Sequence, residues 1–330
     1  MTLRVGIIGC GGIGQKRART LGAGSRLAGC ADLDPARARA LAAGKARVHE
    51  DWRELVRSPD VDAVVVATTH DALAGVTMAA IAEGKHVLVE KPAARSAAEI
   101  LPLLEAAEEH RVKVRVGFNH RYHRALRKAK GIVDSGAIGP LMFLRARYGH
   151  GGRPGYEREW RADPRLSGGG ELIDQGPHLI DLSRWFLGDF PHVTGFAHTY
   201  FWKMPVDDNA FLLLRTDENR VASLHVSCTE WKNLFSMEIY GRDGKLEVSG
   251  LGGTYGVERL AHYRMLPEMG PPETTIWEFP MEDDSWSVEM AEFLSDIRED
   301  RRPDPGLEDA LAALRIVERI YEDAGHDHRA

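Results

Sequence analysis

The sequence predicts an α/β protein of two domains, with a parallel sheet in the first and a largely antiparallel sheet in the second. Strand-like and helical stretches alternate over the first 120 residues or so, which is typical of βαβ units. Residues 63–67 read Ala-Val-Val-Val-Ala, a continuous apolar run typical of a strand buried on both faces. After about residue 118, strand-like runs instead follow one another through turn signals such as 217–219 and 241–244. We therefore expect domains at 1–120 and 121–330.

Each element of the first domain follows from the same alternation. The β-rich apolar runs are the strands, and the Ala-rich stretches between them carry the helical pattern. The predicted strands are 3–8, 27–31, 63–67, 85–89 and 113–117, and the predicted helices are 14–21, 35–43, 72–83 and 97–110.

The second domain is predicted to begin with a helix at 126–135 and a turn at 136–140. A helix is also expected through Leu179, Leu182 and Trp185, with Asp174 as a possible cap. The last predicted helices are 286–299 and 307–323, and the second carries its apolar residues at helical spacing. The predicted strands are 142–148, 192–200, 210–215, 221–227, 235–240 and 245–248.

Composition narrows the function classes. The 330 residues carry a formal net charge of −6, and an acidic excess argues against a general nucleic-acid binder. The 3 cysteines lack C-x-x-C spacing, which argues against a thiolate zinc site and leaves no metal predicted. So sparse a set fits a reducing compartment. No run approaches the roughly 20 apolar residues that span a bilayer, so we expect a soluble, cytoplasmic protein with no membrane partner.

A glycine-rich turn joins the first strand to the first helix. Gly9, Gly11, Gly12, Ile13 and Gly14 belong to a G-x-G-x-x-G string in the position where a dinucleotide pyrophosphate binds. The second strand ends in an acidic residue about 20 positions on, as ribose recognition requires: Asp32. Because a carboxylate accepts ribose hydroxyls and repels a 2′-phosphate, the pattern favours NAD over NADP as cofactor.

Two further segments carry side chains that could take part in catalysis. Glu90, Lys91 and Pro92 stand at the carboxyl end of a buried strand, where ligands of open α/β sheets bind. Asp174 and His178 are four residues apart and share a face if their segment is helical, so the carboxylate can orient the imidazole.

Together with 117–121, the triple glycine at 168–170 and 305–310, these motifs resemble the Gfo/Idh/MocA oxidoreductase family over nearly the whole chain. The resemblance implies a Rossmann domain followed by an α/β domain with a large, open, mostly antiparallel sheet. In that family the sheet commonly packs against a second copy, which implies a homodimer or homotetramer. The usual reaction is hydride transfer between a nicotinamide cofactor and a secondary hydroxyl of a sugar, cyclitol or nucleotide sugar.

The resemblance also implies roles for individual residues. His178 matches the general acid/base, Asp174 the carboxylate that assists it, and Lys91 the lysine that contacts the reacting hydroxyl. Pro92 matches a proline often found after a cis peptide bond. Many members carry Thr-Pro-Asn where this chain has Thr68, Thr69 and His70, so the details of that loop differ here. The expected additional cofactor contacts are Thr68, His70, Glu90, Lys91 and Asn119.

The substrate side is predicted from a stretch rich in aromatic and guanidinium groups. Aromatic faces suit the C–H surfaces of sugars, and arginine suits hydroxyls, carboxylates or phosphates. The candidate substrate-binding residues, with the catalytic three, are Lys91, Arg121, Tyr148, Arg153, Tyr156, Trp160, Asp174, His178 and Trp231.

Two other functions remain open at this point. Some relatives oxidise a sugar transiently, eliminate a leaving group and reduce the product again, which gives net glycoside hydrolysis with the same Lys91, Asp174 and His178. Others are cofactor-binding regulators, which tend to lose these three residues. The substrate, the oxidised carbon and the direction are not set by the sequence.

Overall fold

The computed structural model describes residues 2–325, which pack as two compact units. The first runs from the N-terminus to Phe118 and also contains Trp286–Leu314. The second contains Asn119–Ser285 and residues 315–325. The chain therefore returns to its first unit after completing most of the second.

The strands of the described residues belong to two sheets. They are β1 (Leu3–Ile8), β2 (Ser25–Ala31), β3 (Arg47–His49), β4 (Ala63–Val66), β5 (His86–Glu90), β6 (Val114–Gly117), β7 (Leu141–Gly149), β8 (His192–His198), β9 (Asn209–Arg215), β10 (Val221–Ser227), β11 (Leu234–Gly241), β12 (Gly244–Ser249), β13 (Glu258–Arg264) and β14 (Glu273–Phe279).

The α-helices connect and cover these strands. They are α1 (Gly12–Arg19), α2 (Pro35–Ala42), α3 (Trp52–Arg57), α4 (His70–Ala82), α5 (Ala97–Glu109), α6 (Arg124–Asp134), α7 (Pro164–Ser167), α8 (Glu171–Asp174), α9 (Gly176–Leu187), α10 (Ser285–Arg298) and α11 (Leu307–Asp323). Within residues 2–325, three short 3₁₀ helices also cover Asn119–Tyr122, Tyr156–Arg158 and Trp160–Ala162.

The first sheet has six parallel strands in the order β3-β2-β1-β4-β5-β6. This confirms the predicted doubly wound parallel sheet. The chain builds outward from β1 to β3 and then resumes on the other side of β1 with β4. The carboxyl ends of β1 and β4 therefore flank the switch point where ligands bind in such sheets. The short elements β3 and α3 were not predicted, because three and six residues are too few to show a period.

The second sheet has eight strands in the order β14-β13-β12-β11-β7-β10-β9-β8. Its neighbours are antiparallel except β7 and β10, which confirms the mostly antiparallel prediction. Strands β13 and β14 were missed, and the edge strand β14 is largely exposed, so alternation is weak there. Helices α6 and α9 pack on one face of the sheet. Large apolar side chains are exposed on β8 and β9, where Phe196 is 70% exposed and Leu213 is 54% exposed.

Helix α10 explains why the chain returns to the first unit. Its residues Met290, Phe293 and Leu294 are buried in one cluster with Val5 of β1 and Val65 of β4. Removing each such side chain from water is worth roughly 1.5–3 kcal/mol, so the helix belongs to this core. The expected division at residue 120 did not anticipate this return, because an amphipathic pattern shows which face is buried but not against which sheet.

No helix within residues 2–325 combines the length and the apolarity needed to cross a membrane.

Candidate active site

The glycine-rich turn between β1 and α1 has the form that a dinucleotide needs. Gly9 has φ of 89°, and a Cβ added there would lie 2.3 Å from the carbonyl oxygen of Ala67. A Cβ on Gly14 would lie 2.0 Å from the carbonyl oxygen of Gly9, so this glycine is required for the close packing of α1 on β1. Around Gly11 and Gly12, in contrast, a Cβ would meet nothing within 4 Å. The protein thus leaves open the position where a pyrophosphate approaches the first N–H groups of α1.

Asp32 lies just beyond the end of β2 and is fixed by two backbone groups. The Cys10 N–H donates to its Oδ2 at 2.6 Å, and the Asp34 N–H donates to its Oδ1 at 2.8 Å. Each carboxylate oxygen keeps a lone pair for a further donor, as the ribose hydroxyls are. The next side chain, Leu33, is fully exposed and offers a 2′-phosphate no hydrogen bond. The loop and Asp32 together fit NAD.

Replacing Asp32 with alanine is expected to raise the Kd for NADH by about 10- to 100-fold, the usual effect of losing hydrogen bonds to a charged acceptor. The Kd for NADPH should change less or fall, because the repulsive carboxylate is gone. Fluorescence titration with both cofactors measures this. Since the change also removes the bond from Cys10, the exposed Asp60→Ala variant and a melting curve are the controls. An unchanged NADH-to-NADPH preference would exclude Asp32 from the ribose site.

The other predicted cofactor contacts of the first unit follow its strand ends. Thr68 lies just past β4 and is half-buried, and His70 is buried as the first residue of α4. Lys91 follows β5, is half-buried and precedes Pro92 through a cis peptide bond. Because β1, β4 and β5 are parallel neighbours, these positions share one edge of the sheet with the glycine turn. Asn119 belongs to the second unit, where its side-chain amide donates to Ser285 Oγ at 3.1 Å.

Glu90, the last residue of β5, is held by a buried arginine. Arg17 of α1 donates from Nε to Glu90 Oε1 at 2.6 Å and from Nη1 to Glu289 Oε2 at 2.5 Å. Trp286 lies 4.4 Å from the guanidinium and covers it. Burial raises the pKa of Glu289 to about 7, and Glu90 adds to the rise while Arg17 opposes it. Glu90, which directly precedes Lys91, is therefore part of a buried cluster of charged side chains with Arg17 and Glu289.

The raised pKa of Glu289 predicts a pH-dependent stability. Its proton is retained in the folded chain above the ordinary value of 4.5, so its stabilising contribution is complete at low pH and is lost as pH rises towards about 7. The neutral amide of Glu289→Gln should escape this loss. As pH rises from about 5 to about 8, we expect the free energy of unfolding of the variant to increase by about 1–3 kcal/mol relative to that of wild type. Urea denaturation across that range measures it, with exposed Glu299→Gln as control; parallel curves for all three proteins would contradict the expectation.

In the second unit, the triple glycine is clamped by a buried aspartate. Asp207 accepts from the backbone N–H groups of Gly170 at 3.0 Å and Leu172 at 2.8 Å, and from the Tyr321 hydroxyl at 2.6 Å. A Cβ on Gly170 would lie 1.9 Å from the Asp207 carbonyl oxygen, and one on Gly169 would lie 2.3 Å from the Tyr321 hydroxyl. Only glycine fits here, and the clamp sets the start of the segment that carries Asp174 and His178. No sequence motif predicts this role for Asp207.

Asp174 ends α8, and His178 lies in the first turn of α9. The joining residue, Gln175, has φ of −105° and ψ of −29°, close enough to helical that the predicted shared face is kept. His178 is buried, and the ring of His120 stacks on it with centroids 3.7 Å apart. Tyr148 stands edge-on to both rings. The motif at 117–121 contains His120, but the sequence does not predict that this residue lies beside His178.

Asp174 is paired with a cation. Arg161 Nε donates to Asp174 Oδ2 at 2.9 Å, and the guanidinium lies 4.5 Å from the ring centre of Trp160. The carboxylate of Asp174, aided by a Tyr156 hydroxyl nearby, raises the pKa of Arg161 despite burial. Of the predicted substrate residues, Tyr148, Tyr156 and Trp160 thus lie in the same cluster as Asp174 and His178.

Three predicted substrate residues lie elsewhere in the second unit or are engaged by the protein. Arg121 is buried and pairs with Asp181 through both Nε, at 2.8 Å, and Nη2, at 2.6 Å. Arg153 is exposed and donates to Glu159 at 2.7 Å. Trp231 is 65% exposed, and its ring lies edge-on to another exposed aromatic ring.

Two family models match the chain. The model described as "Oxidoreductase family, NAD-binding Rossmann fold" matches residues 3–118, and the model described as "GFO/IDH/MocA C-terminal domain" matches residues 126–247. Together they span both sheets as far as β12.

Curated relatives and solved structures agree with these matches. Levoglucosan dehydrogenase of Pseudarthrobacter phenanthrenivorans is 28% identical over 223 residues, which cover 59% of this chain and 57% of that protein. Inositol 2-dehydrogenase of Burkholderia multivorans is 30% identical, with 95% of this chain and 91% of that protein covered. The solved structure of levoglucosan dehydrogenase in complex with NADH and L-sorbose superposes with a TM-score of 0.88 at 23% identity, covering 98% of this chain and 97% of that one. The structural likeness concerns the fold.

Proposed function

The chain belongs to the Gfo/Idh/MocA family of NAD-binding oxidoreductases, and from that premise we propose that it transfers a hydride between NAD and a secondary hydroxyl of a sugar, cyclitol or nucleotide sugar. The observation that carries the proposal is the second-unit cluster: a buried imidazole, His178, on the same helical face as a buried carboxylate, Asp174. Inositol and levoglucosan, the substrates named for two relatives, are both polyhydroxylated cyclic compounds without a charged group.

The proposed chemistry divides between the two units. NAD, when bound, supplies the hydride acceptor, and the residues that would hold it are the open glycine turn and Asp32. His178 takes the hydroxyl proton on an imidazole nitrogen as the alcohol is oxidised and returns it in the reverse direction. The Lys91 ammonium donates to the substrate oxygen as negative charge develops there.

The second-unit residues keep His178 ready for proton transfer. Stacking on His120 and edge contact with Tyr148 restrict the rotation of the ring. Asp174, itself fixed by Arg161, is assigned to assist His178 and to accept a substrate hydroxyl. Rigid support of this kind lowers the cost of reaching the reactive geometry.

The proposal extends to assembly and location. We propose that the chain forms a homodimer or homotetramer through the face of the eight-stranded sheet opposite α6 and α9, where Phe196, Phe211 and Leu213 are exposed. Exposed apolar patches of this kind typically mark interfaces. We further propose that it works in the cytoplasm.

The test is an NADH fluorescence assay with purified protein, NAD and a panel of inositols, free sugars, anhydrosugars, sugar acids and nucleotide sugars. We expect signal on one class, lost in His178→Ala. Silence across the panel with NADH still bound would contradict the proposal in the oxidative direction, and keto-sugars with NADH would test the reductive one. Hydrolysis of glycosides without net formation of NADH would instead show that the protein works by transient oxidation. Binding of the cofactor with no turnover of any substrate would instead indicate a regulatory role.

A further inference from the structure

Glu171, the first residue of α8, is a buried carboxylate with an unused acceptor. Its side chain is 2% exposed. Oε1 accepts a hydrogen bond from the Tyr156 hydroxyl at 2.7 Å and lies 3.5 Å from His150 Nε2. Oε2 is buried and has no N–H or O–H donor among the described residues, and the one further group hydrogen-bonded to this carboxylate is the Cys228 thiol, a weak donor. A buried carboxylate oxygen without a donor is costly, so an oxygen left in this state suggests a donor that the protein does not itself supply.

The position of Glu171 places it beside the proposed catalytic residues. Glu171, Asp174 and His178 stand at i, i+3 and i+7 along α8 and α9, which is one face of a helical segment. Burial and the neighbouring Tyr255 raise the pKa of Tyr148, and Asp174 and Glu171 add to the rise, so both carboxylates lie near this hydroxyl. Glu171 and Asp174 therefore both lie near Tyr148, whose ring stands edge-on to the His178 ring.

This cluster is reached from solvent at its cationic members. Arg161, the partner of Asp174, keeps 32% of its side chain exposed, and His150 keeps 19%. Their carboxylate partners are at most 4% exposed. A small ligand that enters between the two cations therefore meets the carboxylates at the inner end.

The charges of the cluster nearly cancel. Burial lowers the pKa of His150, but Glu171 and Asp174 outweigh this and the pKa is raised overall, which favours the imidazolium. With Arg161, the cluster holds two cations against two carboxylates. A balanced set of donors and acceptors suits an uncharged polyol, whereas a carboxylate or phosphate on this side of the substrate would face Glu171.

We propose that Glu171 is a specificity-determining residue whose Oε2 accepts a hydrogen bond from a non-reacting hydroxyl of an uncharged polyol, with His150 and Arg161 donating to neighbouring hydroxyl oxygens. The inference rests on the proposed function, because it concerns the substrate of that same site. The group selected is a free hydroxyl near the carbon that reacts.

The test compares Glu171→Gln with wild type on polyols and their deoxy analogues. The probes are myo-inositol, levoglucosan and each monodeoxy analogue of both, measured for kcat/KM with NAD and for binding to the NADH complex by calorimetry. We expect E171Q to lower kcat/KM and affinity for the preferred parent polyol by about 10- to 100-fold. For the one analogue that lacks the recognised hydroxyl, the kcat/KM and the affinity of the variant should be within about threefold of the wild-type values. A purely structural role would weaken every substrate alike.

The exposed Glu268→Gln variant is the matched control, and it should bind and turn over every probe as wild type does. If E171Q lowers kcat/KM equally for the parent polyol and all its deoxy analogues, or does not lower it at all, the inference is overturned while the proposed oxidation stands. Tighter binding of an amino-substituted analogue, lost in E171Q, would overturn it in favour of an ammonium subsite. Glu171-dependent binding without turnover would support the subsite and contradict the proposed function, and no binding of any polyol would contradict both.

Discussion

Replacing His178 with alanine is expected to lower kcat by about 10²- to 10⁴-fold, the usual contribution of a positioned general acid/base. The His178 imidazole is buried and stacked on the His120 ring, and Asp174 lies four residues before it in the chain. Water therefore has little room to replace the imidazole as proton acceptor. NADH binding should stay within about threefold of wild type, because the glycine turn and Asp32 belong to the first unit. Steady-state kinetics with the substrate found by the panel, and NADH titration, measure the two effects.

His192→Ala is the control for this change, since His192 lies in the same unit on an exposed position of β8. It should keep full activity. The pH profile gives a second readout: if His178 is the base, the fall of kcat/KM at acid pH in wild type should be absent from the residual activity of the variant. Full activity in His178→Ala would remove the residue from the reaction.

Lys91→Ala is expected to lower kcat by about 10²- to 10³-fold, in the range seen when one donor to a developing oxyanion is lost. A neutral methyl group offers the substrate oxygen neither charge nor N–H. Because Lys91 directly follows β5 and Pro92, we also expect some loss of NADH affinity, smaller than the loss in kcat. Separate measurement of kcat, KM and the Kd for NADH resolves these contributions.

Added methylammonium provides a sharper test of the Lys91 role. A small cation that enters the space left by the side chain should restore part of kcat in Lys91→Ala and leave His178→Ala unchanged. The exposed Lys45→Ala variant of the first unit serves as control and should behave as wild type. Retention of more than about a tenth of kcat by Lys91→Ala, against the loss expected from removing such a donor, would show that the ammonium does not stabilise the reacting oxygen.

The sequence was most informative where local rules determine the outcome. The glycine turn, the apolar run at β4 and the acidic end of β2 each follow from short-range constraints, so the parallel direction of the first sheet was predictable, whereas β3 at its edge was not. Strand β14 carries Glu273, Thr274 and Thr275 on a largely exposed edge, and such a strand gains its form from its neighbour rather than from its own alternation. Helix α10 shows a different limit, because its apolar face is visible in the sequence while the sheet that covers it is not.

The residues of the candidate site were likewise predictable from the sequence only in part. Asp174 and His178 were predicted to share a face from their spacing, which is a local property, and they stand at the end of α8 and in the first turn of α9. Glu171 stands on that same face, three residues before Asp174, and the spacing itself was a usable signal for it. What no pattern shows is that Tyr156 and His150 converge on one of its oxygens and leave the other bare. Asp207 escaped detection for the same reason, since its partners Gly170 and Tyr321 are distant in sequence.

The return of α10 to the first unit has a consequence during synthesis on the ribosome. The last strand of the parallel sheet, β6, is made roughly 170 residues before Phe293, which at about 5–20 residues per second is a delay on the order of ten to thirty seconds. Throughout that time the apolar surface around Val5 and Val65 lacks the helix that covers it in the finished protein. The nascent parallel sheet therefore leaves this apolar surface uncovered until α10 has been made, and a fragment cut after residue 120 would leave it uncovered permanently.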